Sequence, residues 1–219
     1  MHDSVKNLED INKEISLKVK ENISPKVIAV SKTFKMSQIL PLIKYGHLHF
    51  GENKVQEAIE KWQNIKNEYP NIRLHLIGGL QTNKVKLAVK LFDYIHSLDN
   101  EKLAKKISEE QIKQKKKIKI FIQVNLGEEE QKSGILKKNL KSFFDLCQNL
   151  NLDIIGLMCI PPQFKSTKPF FDELNLLNKE LKLKELSIGM SADYISALES
   201  SATYLRIGSK IFGERNIKF

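Results

Sequence analysis

The sequence predicts an α/β protein: one (β/α)8 barrel over residues 1–219, preceded by an extra helix. Three observations carry this. Apolar strand-like runs alternate with helix-like stretches from end to end, in eight strand-then-helix units. Such alternation implies a parallel sheet with helical crossovers. Dividing 219 residues by eight gives about 27 per unit, compact but sufficient for a barrel. No Gly-x-Gly-x-x-Gly follows the first strand, which counts against an open doubly wound sheet.

The elements follow in order. An amphipathic stretch at about residues 5–22 reads as the extra helix. Val27–Lys32 is the first strand, and MSQILPLIKYG its helix. His47–Asn53 leads into VQEAIEKWQNIK, where Trp62 is expected to pack against the barrel. Arg73–Gly79, Asp93–Leu98 and Ile118–Asn125 are the third to fifth strands, each with a helical stretch behind it. Leu152–Ile160, Lys184–Gly189 and Ala202–Gly208 are the sixth to eighth. The Phe143-Phe144 and Phe170-Phe171 pairs read as helix–barrel core.

Composition excludes several classes. A chain with 41% hydrophobic and 28% charged residues is neither disordered nor fibrous. No run approaches the ~18 apolar residues of a membrane span, and the polar start MHDSVKNLED resembles neither a signal nor a transit peptide. Cys147 and Cys159 form no Cys-x-x-Cys and have no histidine at metal spacing, so neither a disulfide framework nor a metal site is expected, and a reducing cytoplasm fits. The net charge is +10, but of 36 basic residues only Arg73, Arg206 and Arg215 are arginine. Nucleic-acid readers lean on arginine's forked contacts. The Lys113–Lys119 run is therefore expected to be a solvated helix end rather than a nucleic-acid patch.

Barrel chemistry sits where strands end and loops begin. Side chains alternate, so Ile28, Val30 and Lys32 share a face, and Lys32 would rise from the barrel floor. Apolar neighbours disfavour its charged form and make a nucleophilic amine suited to Schiff-base chemistry; the plain alternative is a lysine snorkelling from a strand end. SIGMS, with Met190 and Ser191, and RIGS, with Gly208 and Ser209, each set glycine and a hydroxyl just past a strand. Backbone N–H groups there can approach an anion, and loops after the last two strands recurrently hold phosphate in barrels. The alternative is ordinary turns with capping serines. Arg206 shares a face with Tyr204: a guanidinium that would keep a pyridine nitrogen unprotonated, or one arm of a salt bridge to Glu52, Asp193 or Glu214. His75, on the third strand, would hydrogen-bond a ligand ring or the backbone.

Together AVSK, HFGENKVQE, HLIGGLQTNK, QVNLGEEEQKSG, GLMCIPP, LSIGMSADYISALE and YLRIGSKIFGER, in that order, resemble the YggS/PROSC family of pyridoxal phosphate homeostasis proteins, from about Val27 to Arg215. The resemblance implies a barrel similar to the N-terminal domain of alanine racemase. It implies pyridoxal 5′-phosphate as cofactor, held as a Schiff base on Lys32, with phosphate on Ser191, Gly208 and Ser209 and the pyridine nitrogen facing Arg206. Asn53 would lie near the cofactor, and His75 and Met190 are included in the expected cofactor site; Lys132, of the KSG motif, has no assigned role. Ser209, Gly79, Ile188 and Lys54 stand where threonine, proline, methionine and an aromatic are the family's habit. The hydroxyl survives at Ser209, while Gly79 loosens the loop after the third strand.

The implied activity is that of a carrier, holding the reactive aldehyde reversibly and releasing it to apo-enzymes, with no partner of nucleic acid or membrane. The rival is an amino-acid racemase or decarboxylase. Relatives with those activities append a β-domain that supplies a second base and a dimer interface. Only four residues follow Arg215, so a monomer without turnover is expected.

Overall fold

Eight parallel strands close on themselves. In the computed structural model, which describes residues 2–19, 24–129, 131–163 and 166–214, they are β1 (Lys26–Val30), β2 (His49–Glu52), β3 (Arg73–Leu76), β4 (Tyr94–Leu98), β5 (Lys119–Asn125), β7 (Asp153–Met158), β8 (Glu185–Met190) and β9 (Tyr204–Ile207). Their order is β4-β3-β2-β1-β9-β8-β7-β5, and pairing of β4 with β5 closes the ring. The first and last barrel strands meet with Ile28 opposite Arg206. A two-residue strand, β6 (Ile135–Leu136), attaches to β5 where the sequence reading starts the helical stretch behind the fifth strand.

Alternation along each strand sorts the core in two. Val27, Ala29, Leu74, Leu76, Ile120, Ile122, Leu205 and Ile207 face outward into the main core beneath the helices. Ile28, Tyr94, Phe121, Met158 and Tyr204 face inward and form a separate buried cluster. Each large side chain so buried contributes roughly 1.5–3 kcal/mol relative to exposure.

Around the ring lie α2 (Met36–Tyr45), α3 (Val55–Glu68), α4 (Val85–Leu91), α5 (Glu101–Gln114), α6 (Leu140–Asn149), α7 (Lys168–Glu180) and the short α8 (Tyr194–Glu199) and α9 (Ser209–Phe212). The extra helix, α1 (Asp3–Lys18), buries Val5, Leu8, Ile11 and Ile15, the single face that three- and four-residue spacing produces. It packs on α2, α8 and α9. Its predicted extension to residue 22 falls on residues outside those described.

Trp62 is fully buried, with its ring 4.9 Å from that of Phe50. Phe143, Phe144 and Phe171 are buried, whereas Phe170 is only half-buried. The lysine run is also less uniform than expected. Lys113, Lys115, Lys117 and Lys119 are exposed. Lys116 instead donates to the carbonyls of Lys90 (3.0 Å) and Phe92 (2.9 Å), closing the end of α4, and burial lowers its pKa. Among the described residues, no helix is long and apolar enough to cross a membrane, and no group of three histidine, cysteine or acidic residues could hold a metal ion.

Candidate functional site

A cavity of about 600 Å³ opens at the C-terminal ends of the strands. Val30, Lys32, Asn53, Met190, Ser191, Arg206, Gly208 and Ser209 all line it. Seven of the eight predicted site residues therefore converge; His75 does not.

Lys32 sits half-buried in the turn directly after β1. Ile28 on the same face is sealed in the barrel interior, and Val30 floors the cavity, so alternation delivers Lys32 to the rim.

On the opposite wall, the Ser191 hydroxyl accepts from the backbone N–H of Gly208 (3.2 Å) and, more weakly, of Lys210 (3.4 Å). One side chain thus ties the loop after β8 to the start of α9. With both contacts accepted, the hydroxyl proton of Ser191 remains for a further acceptor. Gly189 makes the approach to this loop feasible: its φ is +85°, and a Cβ there would lie 2.6 Å from the Ala197 methyl. Across the mouth, Gly78 lets the loop after β3 press on Asn53; a Cβ there would come within 2.4 Å of the Asn53 carbonyl oxygen.

Arg206 forms the floor and is 5% exposed. Its Nη1 donates to the Ser187 carbonyl (2.6 Å) and hydroxyl (2.7 Å), and Nη2 donates to the Cys159 carbonyl (2.9 Å). These neutral acceptors take the place of the carboxylates considered from sequence. Burial lowers the guanidinium's pKa from its ordinary value, but arginine remains charged inside proteins. Cys159 itself is buried, and its thiol is pushed up to about 12 by burial, which removes it as a nucleophile.

His75 sets both ring nitrogens against other imidazoles. It is fully buried, one layer below the cavity. His49 Nδ1 lies 2.9 Å from His75 Nε2, His75 Nδ1 lies 2.9 Å from His96 Nε2, and His96 Nδ1 lies 2.8 Å from the Ser187 hydroxyl. The guanidinium can only donate, so Ser187 Oγ accepts from Arg206, and its own proton is assigned to His96 Nδ1. On that assignment all three imidazoles carry the Nε2–H tautomer. Burial, reinforced by the neighbouring imidazoles, holds His75 well below the ordinary histidine range; burial and then the charge of Arg206 do the same for His96. The chain is neutral, and it runs from the floor of the cavity to the opposite end of the barrel.

Three further features lie outside the expected cofactor site. Gln123 and Asn125 end β5 on one face and line the cavity. Gln123 donates to the Ser133 carbonyl (2.9 Å) and Asn125 to those of Glu129 (2.9 Å) and Lys132 (3.3 Å), fastening the loop that brings Lys132 to the mouth. Two amides two residues apart at a strand end were the available signal. The third feature is the histidine chain, which has no local signature.

A parallel barrel with such a mouth belongs to the alanine racemase class: the family model for the alanine racemase N-terminal domain matches residues 7–216. Alanine racemase from Corynebacterium glutamicum shares this fold at a TM-score of 0.71 and 14% identity, this chain covering 62% of it. Within the class, the chain belongs to the family of pyridoxal phosphate homeostasis proteins. It is 38% identical to the protein of that name from Vibrio cholerae over 204 residues, 88% of this chain and 86% of the relative. It is 34% identical to the mouse protein over 214 residues, 89% and 78% of the two chains. PipY of Synechococcus elongatus, solved with PLP bound, superposes at a TM-score of 0.85 with 32% identity, over 96% of this chain and all of that one.

Proposed function

We propose that this protein binds pyridoxal 5′-phosphate in the cavity and serves as its carrier in vitamin B6 homeostasis. One observation carries the reading: an amine, a fixed guanidinium and a hydroxyl–glycine turn, from β1, β9 and the β8–α9 junction, meet in one cavity of about 600 Å³. The donor set matches the molecule's three functional parts: aldehyde, pyridine nitrogen and phosphate. The name carried by the close relatives and the PLP complex of PipY support it. When bound, the cofactor supplies an electrophilic aldehyde on a pyridine ring.

In this reading Lys32 contributes the amine that takes up the aldehyde reversibly, with loss of one water. Ser191, Gly208 and Ser209 hold the phosphate through a hydroxyl and backbone N–H groups. Arg206 would present its charge to the ring nitrogen and disfavour its protonation, which would weaken the ring as an electron sink. Asn53 and Met190, which line the same cavity, would lie near the bound cofactor. The cavity opens at the strand ends, where an apo-enzyme's lysine, or a free amine, would reach the aldehyde carbon and take the place of Lys32. Transfer to apo-enzymes, a cytoplasmic location and a monomeric state belong to the same proposal.

The test is chemical. The purified protein is expected to absorb visible light when loaded. Borohydride followed by peptide mapping is expected to place the pyridoxyl group on the peptide containing Lys32. A label confined to surface lysines such as Lys113 and Lys115 refutes the assignment.

A further inference from the structure

The flanks of Lys32 are held from outside the barrel. Phe34 N–H donates to the Ser31 carbonyl (3.2 Å), closing a turn around Lys32 and Thr33. Thr33 has φ +69°, a left-handed conformation that favours glycine and strains a β-branched residue. Such strain persists only where the surroundings over-determine it.

Here α3 supplies the constraint. Lys61 Nζ donates to the Ser31 carbonyl at 2.9 Å, and Thr33 N–H donates to Glu57 Oε1 at 2.7 Å. Lys61 also pairs with Glu57 and Glu52, both at 3.0 Å. Glu52 Oε1 accepts from the Ser31 hydroxyl (2.7 Å) and the Trp62 indole (2.9 Å). None of Glu52, Glu57 and Lys61 lines the cavity. Glu52 is fully buried with no partner on Oε2, and the Lys61 side chain is 10% exposed. A buried ion cluster is poor at adding stability, since well-packed apolar residues often do as well. What Lys61 and Glu57 share is the backbone on either side of Lys32, while Glu52 holds the Ser31 hydroxyl.

We propose that Lys61 and Glu57 are positioning residues: from α3 they fix the Ser31–Phe34 turn and thereby aim the Lys32 amine into the cavity. The proposal rests on Lys32 being the cofactor lysine. Lys61 and Glu57 lie one helical turn apart, so one helix face reaches both ends of the turn. Glu57 is suited to accept from a peptide N–H, because the Thr33 N–H and Lys61 lower its pKa against the opposing effect of burial.

The test uses the full chain with two ligands. Pyridoxal 5′-phosphate can react with Lys32; pyridoxine 5′-phosphate, an alcohol, can only bind. Lys61→Met and Glu57→Leu are expected to slow aldehyde uptake by Lys32 roughly 10- to 100-fold, the usual cost of a misplacement near 1 Å. Binding of pyridoxine 5′-phosphate is expected to change by less than about 2-fold, since the phosphate wall is untouched. Glu57→Gln retains an acceptor for Thr33 N–H and is expected to restore most of the rate lost in Glu57→Leu. Acylation of Lys32 in the unloaded protein, read by mass mapping, is expected to follow the same ranking. Equal weakening of both ligands, or unchanged uptake in Lys61→Met and Glu57→Leu, overturns the proposal. If Lys61→Met does not fold, the half-buried Glu57 pair decides it alone. A wild-type protein whose borohydride label misses Lys32 refutes the underlying reading instead, before any variant is compared.

Discussion

Replacing His47 by glutamine should make the protein less sensitive to mild acid. His47 precedes β2, half-buried, with its ring edge-on to that of Phe50 and the two centroids 5.2 Å apart. Its Nε2–H donates to the His49 carbonyl at 2.8 Å. Burial pushes its pKa down to about 4 from 6.5. The folded value lies below the unfolded one, so protons bind the unfolded chain more tightly. Stability is therefore complete above the unfolded pKa and is lost as pH falls from 6.5 through 4. A gap of roughly 2.5 pH units at about 1.4 kcal/mol each gives a ceiling of about 3 kcal/mol, of which about 2 are gone by pH 5. Residual solvent contact of the ring reduces this. His49 is also pushed down to about 4, by burial first and then by the charges of His47, Lys26 and Arg73. The two effects overlap, because part of the His49 shift comes from His47 itself.

Glutamine can donate the same hydrogen bond without titrating. Urea unfolding at pH 7.5 and pH 5 measures the difference directly. The wild type should lose about 1–2 kcal/mol more than His47→Gln between the two pH values. Glu57 and Asp172 do not confuse the reading. Their pKa values are lowered, so the stability they contribute is lost only at still lower pH. Parallel losses in the two proteins would show that His47 is free to protonate in the fold, and the argument from burial would fail.

Other expectations follow from the site and its frame. Ser191→Ala should weaken pyridoxal 5′-phosphate by about 0.5–3 kcal/mol while leaving pyridoxal nearly unaffected; calorimetry of both ligands checks this, and equal losses would make Ser191 a folding residue. Arg206→Leu leaves the Ser187 hydroxyl and the Ser187 and Cys159 carbonyls without their donor, and should cost about 1–3 kcal/mol in a denaturant melt; an unchanged melt would mean the floor repacks. Gly189→Ala must meet the Ala197 methyl at 2.6 Å with φ at +85°, and should cost about 1–3 kcal/mol, a thermal midpoint shift readable by circular dichroism. Holo-protein incubated with L-alanine should racemise it no faster than free cofactor does, by chiral chromatography; faster racemisation, abolished in Lys32→Ala, would make the protein an enzyme.

The sequence alone determined the architecture and most of the cavity wall, because both depend on short-range periodicities. Strand–helix alternation requires parallel crossovers, and period-two alternation fixes which side of a strand a residue faces. Hence Lys32 could be read as rising above Ile28 and Val30, and Ser191, Gly208 and Ser209 as lying past the last two strands. Alternation does not fix depth. His75 faces inward as the pattern requires, but barrel tilt and stagger set it a layer below the cavity, against His49 and His96. Nor does local pattern announce partners: His96 meets Ser187 across 91 positions, and Ser187 then claims Arg206. The same holds outside the ring. Glu52 and Asn53 are neighbours of opposite parity; Asn53 turns to the cavity, while Glu52 turns outward to Trp62 and Lys61. Only closure of the ring, with β1 hydrogen-bonded between β2 and β9, sets that outward cluster behind the Lys32 turn. The bonds at issue join residues far apart in the chain, and their geometry exists only once the sheet has closed.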